Sequence, residues 1–430
     1  MVNVNSAIIQ SYGIEKFEAD RWATDCGGSP RFAHVVGGNL RSNPEDILKP
    51  PSNVNIWDRF ICGRDKPNSE NARQRRTVIQ HIALFKRFGY ENPLKNEADT
   101  IHKLIQEADT LITQVRFQEI IKQLKQQHIL QGKTTLYITP RLLHVKLWID
   151  WWDLHGNNFD INRVTQFPQR LIEWFFEMFE YAEGSPAASQ KVKELLAKDG
   201  LFQEAGGELL KSNFGARFFY HLTLAEPASA LRCLQQTIGT WPKEELFSFN
   251  QTRGLIISSL EFIALWRNLF PDAARLLLSL GVAENQTHSN NASGVFAELF
   301  QLSEHKELSK TEATPSQRIQ ILRETLSSKS SEERRLGLAA CKKALSWTSG
   351  GFIRDNHRVV GKKPDLWHPK TYGELFDAYR EIWKLLLSSL DYLDSENQKI
   401  AYQNLLESSI NLARIQLLNE MVLLTFTKVD

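Results

Sequence analysis

The chain has 430 residues, enough for two or three domains, with 42% hydrophobic and 24% charged residues, so wholesale disorder is excluded. Its 52 basic and 50 acidic residues nearly cancel, so any site for nucleic acid or an acidic membrane must be local. Four scattered cysteines without a CxxC pair indicate a reduced, intracellular protein rather than a disulfide or zinc module. The chain shows no secretory signal and no apolar run near the ~20 residues that span a bilayer. We therefore expect a soluble, cytoplasmic protein without membrane contact.

Residues 1–55 predict a small helical segment. Four apolar residues recur at roughly helical spacing, namely Ile14, Phe17, Trp22 and Ala23. A turn over 26–31, rich in glycine and proline, precedes a second helical stretch over 32–40 and a polar linker over 42–52. Two short helices bury too little surface to be stable alone, so this segment is expected to lean on another.

Residues 56–150 predict three helices followed by a β-hairpin, which is the order of a winged helix-turn-helix. The helices are expected over 72–88, 97–105 and 114–127. The inward face of the third is expected to hold Val115, Phe117, Ile120, Ile121 and Leu124. A turn at Gln131-Gly132-Lys133 is expected to join strands around 129–130 and 136–138.

Residues 151–430 have an almost wholly helical pattern and a candidate repeat. Pro227, Pro271 and Pro315 lie 44 residues apart, each at the expected start of a helix. Seven positions after each proline stands a leucine, giving Leu234, Leu278 and Leu322; eleven positions after stand Ile238, Val282 and Leu326. This period is typical of HEAT and armadillo arrays, although three helices can align such residues by chance. The predicted fold class is mainly α: a short helical lid, a winged helix with a small hairpin, and a helical array.

No motif in the chain predicts catalysis or a metal site. Gly132-Lys133-Thr134 lacks the glycine that a phosphate-binding loop needs five positions earlier, so we interpret it as a hairpin turn. A polar stretch is interpreted as a solvated loop because its two histidines lack a metal-binding spacing; it contains Asp355, His357, Asp365, His368 and Glu374. No Gly-x-Ser-x-Gly sequence occurs, so the chain is predicted not to be an enzyme.

A dense aromatic group is predicted to be core, with a protein-contact surface as the alternative. Its members are Trp148, Trp151, Trp152, Trp174, Phe175 and Phe176.

A winged helix also allows a DNA-binding interpretation. The third helix offers Arg116, Lys122 and Lys125 to DNA, with base readers in Gln114, Gln118, Gln123 and Gln126. Arg73, Arg75 and Arg76 could meet phosphates from the first helix. Glu119 within the third helix and a single lysine in the wing argue against this interpretation, so nucleic acid is not the favoured partner.

The sequence resembles the C-terminal part of bacterial STAND-type signalling ATPases, the class with NACHT and NB-ARC modules. The turn Cys26-Gly27-Gly28-Ser29-Pro30 resembles the Gly-x-Pro turn of their helical lid, and it is followed in the same order by a winged helix and a helical sensor. The phrases ALFKRFGYE and LYITPRLLHVKLW resemble the winged-helix section, and TPSQRIQILRETL resembles the helical region after it.

The resemblance implies that Pro30 packs near an adenine, but only when a phosphate-binding core preceding residue 1 is present. ATP or ADP and magnesium are implied only when that core is present. Without it, the chain is expected to bind no cofactor. The histidine that many relatives carry after the wing is not found, since Ile138-Thr139-Pro140 occupies that place.

The predicted function is a non-catalytic sensing and regulatory region, in anti-phage defence or stress signalling. Its array binds a protein or other trigger, its winged helix relays that binding, and oligomerisation follows. The alternatives are a winged-helix transcriptional regulator that binds DNA and a helical-repeat interaction scaffold.

Overall fold

The computed structural model describes residues 2–26, 30–42, 44–47, 61–62, 65–66, 68–303, 309–346 and 361–426. The fold is mainly α-helical with one small antiparallel sheet, which confirms the mainly α class, whereas the winged helix and the repeat array stay predictions. Two compact units divide the chain, one holding residues 1–191 and the other most of 192–430. Within the described ranges, no helix is both long enough and apolar enough to cross a bilayer. The division into three parts at 55 and 150 stays a prediction.

The first unit begins with three helices around their own apolar core. These helices are α1 (Val2–Gln10), α2 (Lys16–Asp25) and α3 (Pro30–Ser42). The core includes Ile9, Trp22, Phe32 and Leu40. The sequence predicted two helices, with Phe17 among the regularly spaced apolar residues of the first, but α1 is a third helix and Phe17 is 77% exposed. The inward face of α2 follows Ala19, Trp22, Ala23 and Cys26, a helical repeat that leaves position 17 outside it.

The rest of the first unit joins helices to a three-stranded sheet. Its elements are α4 (Glu70–Ile82), β1 (Phe88–Gly89), α5 (Lys95–Ala108), α6 (Gln114–Gln126), β2 (Leu130–Gln131), β3 (Thr135–Ile138), α7 (Arg141–His155) and α8 (Gln169–Glu177). Strand β3 lies in the middle and pairs antiparallel with both others: Phe88 faces Leu136, and Leu130 faces Ile138. The predicted hairpin is confirmed, and its turn contains Gly132 at φ +110°, a conformation that favours glycine.

The helix predicted over 72–88 is wrong at its C-terminal end. Helix α4 ends at Ile82, and the last six residues of the predicted helix form turns and enter β1. Phe85 and Phe88 are buried, as an inward helical face requires, but they reach the core from the turn and the strand. Apolar spacing alone could not separate these two arrangements.

The aromatic group lies in the core of the first unit, as predicted. Trp148, Trp151 and Trp152 of α7 are buried, and the ring of Trp152 lies 5.2 Å from that of Phe179. Phe175 and Phe176 of α8 are buried with them, whereas Trp174 is only half-buried. The guanidinium groups of Arg87 and Arg170 lie 5.8 and 4.7 Å from the centre of the Trp174 ring.

The second unit is formed by helices in two rows. The chain continues with α9 (Pro186–Leu195), α10 (Glu208–Lys211), α11 (Asn213–Ala225), α12 (Pro227–Gln236), α13 (Lys243–Ser248), α14 (Arg253–Ile263), α15 (Phe270–Val282), α16 (Ala292–Glu298), α17 (Pro315–Leu326), α18 (Ser331–Ala344), α19 (Tyr372–Ser389), α20 (Ser395–Leu412) and α21 (Gln416–Phe426). One row packs in the order α11, α14, α16, α18 and α20. The other packs in the order α12, α15, α17, α19 and α21, and neighbouring helices also pack between the rows.

The three prolines spaced 44 residues apart fall in the first turns of α12, α15 and α17, as predicted. All three helices belong to the same row. The leucines seven positions later, Leu234, Leu278 and Leu322, are buried.

Candidate functional site

The candidate site is the outward face of α6, the helix for which the sequence predicted DNA contacts. Thr113 begins the helix, since its hydroxyl accepts a hydrogen bond from the Arg116 backbone N–H. Phe117, Ile120, Ile121 and Leu124 are buried, so one side of α6 is fixed against the fold. The opposite side is presented to solvent.

This outward face, which we call the α6 face, mixes apolar and polar side chains and carries little charge. Its members are Val115, Gln118, Glu119 and Lys122 of the helix, with Leu111 from the preceding turn. Leu111 is 61% exposed and Val115 is 66% exposed. Glu119 and Lys122 are its charged members, so the α6 face carries no cluster of like charges.

The prediction that Val115 faces inward is therefore wrong. Val115 precedes Phe117 by two residues, which places it on a different side of the helix from the buried set. An apolar residue in the first turn could be assigned to either side from sequence alone. Its exposure is the feature of this site that the sequence analysis missed.

Arg116, one of the three predicted DNA contacts, is held by side chains of its own unit. Its guanidinium donates to the side-chain oxygens of Gln74 (2.8 Å) and Asn71 (2.7 Å). It also pairs with Glu119 at 3.0 Å. The contacts with Gln74 and Asn71 direct the Arg116 guanidinium towards α4, and the ion pair with Glu119 neutralises its charge.

Arg75 is likewise occupied. Its side chain is buried, and it donates to the carbonyl oxygens of Ile61 and Cys62 and to Asp65 at 2.7 Å. It also donates to Gln123 at 3.0 Å, which engages one of the predicted base readers. The prediction that Arg75 meets phosphate is wrong for this structure, because a buried guanidinium cannot reach a ligand in solvent.

The remaining predicted contacts differ in how available they are. Lys122 is exposed, as are Gln118, Gln126 and Arg73. The Lys125 ammonium lies 5.7 Å from the centre of the Tyr90 ring, and Gln114 donates to Asp99 at 3.3 Å. The structure thus brings Lys122 and Lys125 to one side of α6, engages Arg75 and Arg116 in internal contacts, and leaves Arg73 exposed on α4.

Pro30, the residue assigned to an adenine pocket by resemblance, is the first residue of α3 and is exposed. The turn residues 27–29 lie outside the described part of the chain. The structure therefore places Pro30 at a helix start, and its predicted contact stays a prediction.

The described part of the polar stretch that contains His368 shows no cluster of metal ligands. Asp355 and His357 lie outside the described residues, and Glu374 accepts the Lys370 backbone N–H at 2.9 Å, near the start of α19. Among the residues that are described, no group of three or more His, Cys, Asp or Glu side chains could hold a metal ion.

Comparison with known proteins gives no relative: no family model, no curated protein and no solved structure matches the chain.

Proposed function

We propose that this chain is a non-catalytic, cytoplasmic sensing and regulatory region. In this proposal the helical rows of the second unit bind a protein trigger, and a winged helix in the first unit makes protein contacts that relay the signal. Rigid-body displacement of a packed domain is a common means of such relay.

The order of elements supports the winged-helix part of the proposal. From α4 to β3 the chain runs helix, strand, helix, helix, strand, strand, and the last strand lies between the other two. A winged helix-turn-helix has this order, with the hairpin as the wing.

The two helical rows support the array. Within each row, every helix packs on the next helix of that row. Each helix also packs on a neighbouring helix of the other row. Repeat proteins are built in this way and present extended surfaces to protein partners.

One observation carries the choice between protein and DNA as the partner: the α6 face exposes Leu111 and Val115 while Arg116 is engaged internally. DNA affinity comes largely from basic groups that neutralise phosphates, and this face offers one lysine beside one glutamate. Exposed apolar side chains with balanced charge are typical of a surface that contacts protein.

The experiment is a comparison of affinity-tagged variants in an extract of the source cell. We expect wild type and Gln106→Asp, an exposed control on α5, to retain the same protein partner. We expect Val115→Asp to lose it, because a carboxylate would be desolvated at the contact. The thermal unfolding of all three proteins should agree, since Val115 is exposed.

Two outcomes would contradict the proposal. One is an identical set of bound proteins for wild type and Val115→Asp; the other is measurable ATP turnover by the purified chain.

Placement in a STAND-type ATPase of anti-phage defence or stress signalling rests on the sequence resemblance alone. In that setting ATP or ADP and magnesium would be held by a phosphate-binding core that these 430 residues do not contain.

A further inference from the structure

Helix α20 has one face that packs against other helices of the second unit and one face that is exposed to solvent. Ala401, Leu405 and Leu412 are buried, and the Asn404 amide donates to the Leu338 carbonyl of α18 at 2.9 Å. Asn397 donates to the Ser331 carbonyl at 3.2 Å. These contacts along the whole helix set its rotation and so decide which side chains face solvent.

The outward face of α20 carries a regular apolar stripe. Tyr402 is 53% exposed, and Leu406 and Ile410 are each 58% exposed. The three residues are spaced by four, so they lie one above another along the helix. Together they form a contiguous apolar surface, unlike the single exposed residues that are normal on protein surfaces.

Opposite charges flank this stripe at nearly equal distances. Glu396 lies ten residues before Leu406, and Arg414 lies eight residues after it, in the turn that follows α20. Both are exposed, and within the described ranges neither lies in ion-pair distance of an opposite charge. By contrast, the nearby Glu407 is already paired with Lys342 at 2.5 Å.

We propose that the outward face of α20 binds the same face of a second copy of this chain, with the two helices antiparallel. Leu406 would lie on the twofold axis, and Tyr402 would pack against Ile410 of the second copy. Isologous contacts of this kind require a surface that is complementary to itself.

The positions of Glu396 and Arg414 along α20 favour a second copy of the chain as the partner and an antiparallel orientation of the two helices. In the antiparallel pairing, Glu396 lies within two residues, about 3 Å along the axis, of Arg414 in the second copy, a gap that an arginine side chain spans. The twofold axis forms this pair twice, while Lys399 faces Ala413 of the second copy. A parallel pairing would instead place equal charges side by side.

The area of the apolar stripe on α20 indicates how tightly the two copies should bind each other. A single helical stripe buries less than the ~1,000 Å² that marks a stable interface. The dimer should therefore be weak, with a dissociation constant on the order of micromolar, and should exchange rapidly with monomer.

The test is sedimentation equilibrium of the whole chain over a range of concentrations. We expect a reversible monomer–dimer equilibrium, which Leu406→Asp abolishes. Glu396→Arg and Arg414→Glu should each weaken the dimer by about tenfold, since each places two like-charged pairs in the interface. The double variant E396R/R414E should restore the dimer to within about threefold of wild type, because the exchanged charges again face each other.

Lys384→Glu on α19, an exposed residue on a neighbouring helix, is the matched control and should leave the dimer unchanged. The charge variants alter exposed residues only, so they test the proposal even if Leu406→Asp unfolds the chain. A monomer at every concentration would overturn the proposal. A dimer that neither single charge reversal weakens, or a double variant that stays weak, would do so equally.

Discussion

Two histidines of the first unit are kept neutral by burial. The Nδ1 atom of His81 lies 2.8 Å from the Thr77 carbonyl oxygen, and the Nε2 atom of His144 lies 3.1 Å from the Ala83 carbonyl oxygen. Burial lowers the pKa of each from 6.5 to about 4. Both side chains pack at or beside the end of α4, so their protonation state is linked to the stability of this region.

This linkage predicts a loss of stability in mild acid. Because the pKa is higher in the unfolded chain, the unfolded state takes up protons first as the pH falls. The histidine contribution is complete above pH 6.5 and decreases between pH 6.5 and about 4, by on the order of 1 kcal/mol per pH unit for each residue. Urea unfolding at several pH values, followed by tryptophan fluorescence, measures it.

The variant His144→Gln should flatten this pH dependence relative to wild type. Equal slopes for wild type and His144→Gln would show that His144 does not contribute.

Arg318 shows how the second unit uses a buried cation. Its side chain is 1% exposed and donates to the carbonyl oxygens of Gln301 (2.8 Å) and Ala313 (3.0 Å), which ties the segment before α17 to that helix. The guanidinium also lies 5.5 Å from the centre of the Trp367 ring. Its planar fork satisfies several carbonyl oxygens at once, which a lysine ammonium cannot do.

Replacing Arg318 with leucine should therefore lower the free energy of unfolding by about 2–4 kcal/mol, because the two carbonyl groups lose their donor in a buried place. Arg318→Lys should recover little of this loss. The exposed Arg323→Leu on the same helix should cost less than about 0.5 kcal/mol in the same urea titrations. Equal losses at positions 318 and 323 would refute the role of the buried contacts.

At the scale of helices and strands, the sequence predicted the elements whose signals are local and missed those that depend on tertiary contacts. The hairpin was predictable because its turn contains Gly132, which adopts a conformation that favours glycine. The starts of three helices were predictable because proline suits the first helical turn. Strand β1 has only two residues and exists because Phe88 and Gly89 pair with β3. No pattern of two residues can reveal a partner more than 40 positions away.

The candidate site was predictable in location but not in character. The spacing of apolar residues placed the buried face of α6 correctly at Phe117, Ile120 and Leu124. Whether Arg116 faces solvent depends on Gln74 and Asn71, which come from another helix. The charges along α6 therefore suggested Arg116 as a DNA contact, but its hydrogen bonds to the neighbouring helix α4 turn the side chain in another direction.

The proline-led repeat makes a prediction for the row that contains α15. Leu278 is buried at the position that Leu234 and Leu322 occupy on α12 and α17. The variant Leu278→Asp should unfold the middle of the rows, because it desolvates an unpaired carboxylate. Ser279→Asp, at an exposed position of the same helix, should unfold as wild type does. Circular dichroism on heating separates the two, and a wild-type transition for Leu278→Asp would refute this register.

At the scale of the whole chain, the net charge of +2 gives no long-range attraction to a polyanion. Binding to DNA would have to come from a local patch. Among the described residues, Lys122 and Lys125 are the basic groups of α6 without an ion pair. Two phosphate contacts give a shallow dependence of affinity on salt, far from that of proteins that make six to ten.

We therefore expect the chain to leave a duplex-DNA column at low salt, and Lys122→Glu with Lys125→Glu to change its elution only slightly. Arg116→Glu should act differently: it places an acid beside Glu119 and removes the donor to Gln74 and Asn71, so it should lower thermal stability rather than DNA retention. Strong, salt-dependent retention that the two lysine reversals abolish would instead make α6 a DNA-reading helix. The exposed Leu111 and Val115 would then lie against the bases, where apolar side chains contact thymine methyl groups.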